Sequence, residues 1–118
     1  MKDISDTLVY KGVEYPLVFN INVLEAIQEE YGTFSAWLEK IAGEEIVEPD
    51  IKAIKFAYRE MINEGIDMAN EEKEEDRNPV SMKFIGRMFT EIGLDRSLEK
   101  LTSLATASNQ SGESSKNA

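Results

Sequence analysis

The residues in this chain best equipped for chemistry are carboxylates. The segment EGIDMANEEKEEDRN, residues 64–78, holds Glu64, Asp67, Glu71, Glu72, Glu74, Glu75 and Asp76 against only Lys73 and Arg77. Clustered carboxylates bind Ca²⁺, and a pair facing each other across a cleft can serve as general acid and base. Asp67, Ala69 and Glu71 occupy alternate positions, as the first ligands of an EF-hand loop do. But Ala69 brings no oxygen, and Glu72 stands where that loop needs glycine, so no metal site is expected. The segment has a net charge of −5, and a run of like charge reads as a solvated face. An exposed acidic loop over about 64–79, or a frayed helix end, is the expectation.

Other chemistry is thinly provided. Histidine and cysteine are both absent, which removes the Cys–His nucleophile pair and the usual structural zinc sites. The serines sit in no G-x-S-x-G elbow. There is no G-x-x-x-x-G-K-[ST] and no G-x-G-x-x-G to cradle a phosphate. No catalytic activity and no cofactor are expected. The net charge of −10 disfavours contact with nucleic acid and with anionic membranes. No window is apolar enough for a membrane span, and MKDISDTLVY lacks the apolar stretch of a secretory leader. The lack of cysteine fits a reducing cytoplasm.

The remaining functional candidates are apolar. Five methionines and the aromatics Phe34, Trp37, Phe84 and Phe89 suit either a core or an adaptable partner groove. Most recur at core spacing. A short helix following a glycine tends to lie at the periphery, so Phe34, Trp37 and Leu38 are the candidate partner-binding residues.

The elements that hold these residues are legible in order. Residues 4–19 read as a β-hairpin with its turn at Lys11-Gly12. A two-residue turn pairs Tyr10 with Val13, Leu8 with Tyr15 and Ile4 with Phe19 on one apolar face, with Asp6 opposite Leu17 as the mismatch. The other face is more polar, and Pro16 belongs at an edge. Asn20 or Asn22 starts a first helix, with Asn22 and Glu25 spaced as a capping box. Val23, Leu24, Ile27 and Tyr31 form its stripe, and Gly32 ends it. A second helix, capped by Thr33 or Ser35, carries Phe34, Trp37, Leu38 and Ile41 and stops at Gly43. Pro49-Asp50 opens a third, with Ile51, Ile54, Tyr58, Met61 and Ile62 buried and Gly65 as its end. Ser81 caps a fourth, which carries Ile85, Met88, Phe89 and Ile92 and stops at Gly93. A short last helix from Asp95 presents Leu98, Leu101 and Leu104. From Thr106 the chain is small and polar, so residues 106–118 read as a flexible tail. The 118 residues, 42% of them hydrophobic, therefore predict one domain over 1–105. Its fold class is mainly α (small α+β), an N-terminal β-hairpin packed on a bundle of four to five helices.

The stretch YKGVEYPLVFNINVLEAIQEEYGTFSAWLEKI resembles the start of the tail assembly chaperones of long-tailed phages and prophages of Gram-positive bacteria. The shared pattern is a hairpin of the form g-x-x-y-x-L-x-F, then N-x-x-x-x-x-x-E-x-x-G, then a short aromatic helix. IKFAYREMINEGIDMANEE and GRMFTEIG extend it, so the resemblance covers residues 8–94. It implies a small, helical, acidic protein that coats the tape measure protein, keeps it soluble and helps recruit tail tube subunits. It also implies action in the cytoplasm of the bacterial host and absence from the finished virion. Self-association is left open. No family site residue carries across, since scaffold positions define the pattern.

Two other readings remain open at this stage. One is a structural virion component, such as a tail or head–tail connector protein. The other is a small acidic regulator or DNA mimic that spaces carboxylates like phosphates.

Overall fold

The first reversal of the chain follows from two residues. Lys11 and Gly12 both take positive φ, 51° and 76°, the geometry of a two-residue turn that matches strand twist. Strands β1 (Ile4–Tyr10) and β2 (Val13–Phe19) therefore pair antiparallel, with Ile4 opposite Phe19, Leu8 opposite Tyr15 and Tyr10 opposite Val13. The computed structural model describes the backbone of residues 3–117 and the side chains of residues 3–108.

The register also resolves the two awkward residues in the hairpin. A two-residue turn makes Tyr10–Val13 a hydrogen-bonded pair, so by alternation Thr7–Pro16 is a non-hydrogen-bonded one. Pro16 has no amide hydrogen to donate and none is required there. Outward-facing carbonyls on this alternation are taken from outside the sheet: Lys100 Nζ donates to Thr7 O at 3.4 Å and Arg77 to Glu14 O at 3.4 Å. Asp6, the mismatch on the apolar face, stays exposed and bonds Lys100 Nζ at 2.8 Å.

Helix α1 (Ile21–Tyr31) is capped by Asn20, whose Oδ1 accepts from Val23 N–H at 3.3 Å. The Asn22–Glu25 box does not form. Asn22 instead donates to Glu64 Oε2 at 2.9 Å, and Asn20 Nδ2 donates to the same oxygen at 2.7 Å. Glu64 thus ties the start of α1 to the third helix. Helix α2 (Phe34–Ala42) has Thr33 as its cap, helix α3 (Ile51–Lys73) has Asp50, and helix α4 (Met82–Ile92) has Ser81. In each case the side-chain oxygen takes one orphan amide of the first turn.

Helix α3 is the axis of the molecule and departs most from expectation. Gly65 does not end it, and the acidic stretch continues as helix to Lys73. Glycine inside a helix costs about 1 kcal/mol relative to alanine. Here the missing side chain makes room for β2, since a Cβ on Gly65 would fall 2.6 Å from Pro16 Cβ and 3.3 Å from a Val18 methyl. That close approach buries Val18 and half-buries Pro16, so the second face of the hairpin is not uniformly polar. Ala53, Ile54, Ala57, Tyr58, Met61, Ile62 and Ile66 line the buried side of α3. Full burial of an isoleucine contributes roughly 1.5–3 kcal/mol.

Beyond Lys73 the chain returns along α3. Asn70 forms two hydrogen bonds with the backbone of Arg77, both 3.1 Å, and Asn63 forms two with Val80, 3.2 and 2.8 Å. Each amide side chain substitutes for a strand neighbour. The spacing matches: seven helical residues rise about 10.5 Å, and three extended residues span about 10 Å. This strap brings Arg77 over the Tyr15 ring, 5.3 Å from its centroid.

Helix α4 packs Phe84 against Tyr10 and Tyr15, and Phe89 edge-on to Tyr58 at 4.8 Å. Helix α5 (Leu94–Asn117) begins one residue before Asp95 and runs past Thr106. Leu101, Leu104, Ala105 and Ser108 are buried, so residues 106–108 belong to the helix and not to a flexible tail. The rest of that expected tail, 109–118, lies outside the residues whose side chains are described.

Candidate partner-contact surface

The turn between α1 and α2 sets the position of the aromatic helix. Gly32 ends α1 at φ 89°, and Thr33 then caps α2, its Oγ1 accepting from Ala36 N–H at 2.9 Å. This sharp redirection lays α2 against α1 and α3. Trp37 consequently has 0% exposure, and its indole N–H donates to Ala53 O at 3.1 Å. Trp37 is therefore a core residue and not part of a contact surface in this conformation. The physical reason is the continuous stripe to which it belongs: Trp37 and Ile41 face inward together. Phe34 is half-buried between the Phe19 and Trp37 rings, at 6.3 and 5.5 Å. Leu38 is half-buried and lines a shallow depression of about 420 Å³ with Ser35, Glu39, Ala42, Gly43, Glu44 and Glu45.

The segment after α2 extends this surface. Gly43 N–H bonds Glu39 O at 3.1 Å to end the helix, and Asp50 N–H bonds Lys40 O at 2.9 Å. The loop 43–50 is thereby folded back on the end of α2. Val47 at its tip is 98% exposed, Ile46 37% and Ile51, at the start of α3, 52%. The expectation that Ile51 is buried is wrong because Ile51 and Lys52 lie on the outer side of the first turn of α3, whose inner side is taken by Ala53 and Ile54. The apolar pair is bracketed by Glu44, Glu45, Glu48 and Asp50, with no lysine or arginine between Gly43 and Ile51. Ile46 and Val47 fall outside every periodic stripe of the sequence. The available signal was two adjacent β-branched residues without helical or strand periodicity in a Glu/Pro-rich connection.

Elsewhere the polar clusters have structural duties. Glu60, Glu64, Asp67, Asn22 and Asn63 line a dent of about 110 Å³. Glu60 bonds Arg59 at 3.3 Å, Glu64 takes both asparagines, and Asn63 holds the strap. Asp67, Ala69 and Glu71 lie on a continuous helix rather than in a calcium-loop conformation. Among the described residues no three acidic side chains are grouped to hold a metal ion. Two further depressions, about 380 and 370 Å³, flank the Lys100–Asp6 pair. The hydrogen bond from Lys100 and that from the Thr7 amide hold the Asp6 carboxyl below the usual aspartate range. Tyr58 donates to Ser97 O at 2.6 Å. Burial, with a lesser effect of the Asp6 charge, pushes its pKa far up, so its hydroxyl is a neutral structural group.

No family model matches this chain, and neither a curated protein nor a solved structure matches it. No described helix is long and apolar enough to cross a membrane.

Proposed function

We propose that this protein is a non-enzymatic tail assembly chaperone of a long-tailed phage or prophage. It binds the tape measure protein, keeps it soluble in the host cytoplasm and helps recruit tail tube subunits around it. It leaves before the virion is complete. The resemblance of residues 8–94 gives this reading its specific content. The observation that supports it physically is the exposed apolar tip of loop 43–50, Val47 at 98% exposure amid Glu44, Glu45 and Glu48. A chain that coats another needs apolar contact surface, and it needs repulsive charge so that the coated complex stays dispersed. Both features meet in this loop, in a molecule whose net charge is −10.

Co-expression with the tape measure protein of the same gene cluster tests the proposal. The tape measure protein is expected to move into the soluble fraction and to co-purify with this chain. If it is no more soluble with this chain than without it, the chaperone reading fails.

A further inference from the structure

We infer that the corner between α2 and α3 is the docking surface for a basic amphipathic helix of the partner chain. This rests on the assembly-chaperone reading and assigns it a place and a recognition chemistry. The corner has three parts: the depression beside Leu38 and Ala42, the projecting pair Ile46 and Val47, and the carboxylates Glu39, Glu44, Glu45 and Glu48.

Two backbone amides of the corner are already engaged. Ile46 N–H is engaged with Gly43 O at 3.4 Å and Asp50 N–H with Lys40 O at 2.9 Å. No strand edge lies in residues 34–51, so an added strand finds no ladder to extend. Recognition therefore falls to side chains. Apolar anchors at i, i+3, i+4 and i+7 of a helix enter the depression beside Leu38 and cover the exposed Ile46–Val47 pair. Lysine or arginine flanking that stripe meets the acidic rim. A second copy of this chain, docked corner to corner, sets Glu44, Glu45 and Glu48 against their own like charges, and nucleic acid meets the same repulsion.

The test uses the full chain and two synthetic helices of ~18 residues, about five turns. They share a leucine stripe but are flanked by lysine in one and by glutamate in the other. Binding is read by amide chemical shifts and by titration at two salt concentrations. The lysine peptide is expected to shift amides within 38–51 and to bind more weakly at higher salt, and the glutamate peptide is expected not to bind. The double substitution Ile46→Ser/Val47→Ser, at exposed positions, is expected to weaken binding by at least about tenfold with an unchanged circular dichroism spectrum. Glu44→Gln/Glu45→Gln/Glu48→Gln is expected to weaken it and flatten its salt dependence. Neutralising Glu71, Glu72, Glu74 and Glu75 is expected to leave binding intact.

Shifts centred on 64–76 would overturn the assignment, as would binding indifferent to Ile46→Ser/Val47→Ser or equal affinity for the glutamate peptide. Concentration-dependent self-association abolished by Ile46→Ser/Val47→Ser would give the corner to a second copy and overturn it too. The two readings fail separately. If Ile46→Ser/Val47→Ser solubilises the tape measure protein as well as the unaltered chain does, the corner is wrong and the chaperone stands. If the unaltered chain binds the lysine peptide at 38–51 but leaves the tape measure protein insoluble, the docking chemistry stands and the chaperone reading is wrong.

Discussion

A Cβ placed on Gly65 would lie 2.6 Å from the Cβ of Pro16, so helix α3 and strand β2 meet at a point where neither residue has room to change. The substitution Gly65→Ala raises helix propensity by about 1 kcal/mol and forces an overlap that typically costs about 1–3 kcal/mol. The contact atoms belong to a proline ring in a paired strand, which has little freedom to yield. Net destabilisation is expected, seen as a lower midpoint in chemical denaturation. A higher midpoint would mean that the hairpin and α3 separate easily.

The strap along α3 depends on two asparagines. Asn70→Ala removes both bonds to Arg77, and Asn63→Ala both bonds to Val80. Each bond is part-buried, so a loss of about 1–2 kcal/mol per substitution is expected. Hydrogen exchange reads the effect locally: the Arg77 amide loses protection in Asn70→Ala, and the Val80 amide in Asn63→Ala. Unchanged protection in both would mean that the strap is held by other contacts.

Tyr58 makes stability sensitive to alkali. Its folded pKa lies above the ordinary tyrosine value, first because of burial. The unfolded chain gives up this proton near pH ~10 while the folded chain keeps it. The stability contributed by neutral Tyr58 is thus complete below that pH and declines as pH rises past it. Tyr58→Phe removes the hydroxyl's bond to Ser97 O, at a loss of about 0.5–1.5 kcal/mol near neutral pH, and flattens the alkaline decline. Tyr31, also raised by burial, leaves a residual slope. Denaturation midpoints collected from pH ~7 to ~11 check this.

Trp37 and Val47 are expected to behave as opposites. Trp37→Phe breaks the bond to Ala53 O and leaves a gap in a fully buried site, with an expected loss of about 1–3 kcal/mol. Peptide affinity in the folded fraction should barely move. Val47→Ser should leave the unfolding free energy within about 0.5 kcal/mol and reduce peptide affinity. The reverse pattern would return Trp37 to the contact surface.

Much of the scaffold was legible because its signals are local. Lys11-Gly12 dictates the hairpin register, and Thr33, Asp50 and Ser81 each announce a helix start through one side-chain oxygen. Gly32, Gly43 and Gly93 end helices as expected. Gly65 has the same identity and the opposite meaning, because its role depends on Pro16, 49 positions away in the chain. The helical course of Glu64–Lys73 was obscured by charge density, which says where a surface faces but not how the backbone runs. Trp37 looked peripheral from the shortness of its helix; only the docking of α2 against Ala53 shows it to be central. Ile46 and Val47 belong to no periodic stripe, because an exposed apolar loop follows neither helical nor strand spacing.

The paired asparagines have one more consequence, for what lengths this chain tolerates. Asn63 and Asn70 reach the returning segment because seven residues bring a helix back to nearly the same side after about two turns. A single residue inserted between them swings Asn70 around the axis by about 100°, and one inserted between Arg77 and Val80 puts the two anchor points out of step. The stretch 71–76 lies outside both anchors and is exposed; it can lengthen or shorten without disturbing either. Variation in length among related chains should therefore gather at 71–76, while the interval from Asn63 to Asn70 stays constant in phase.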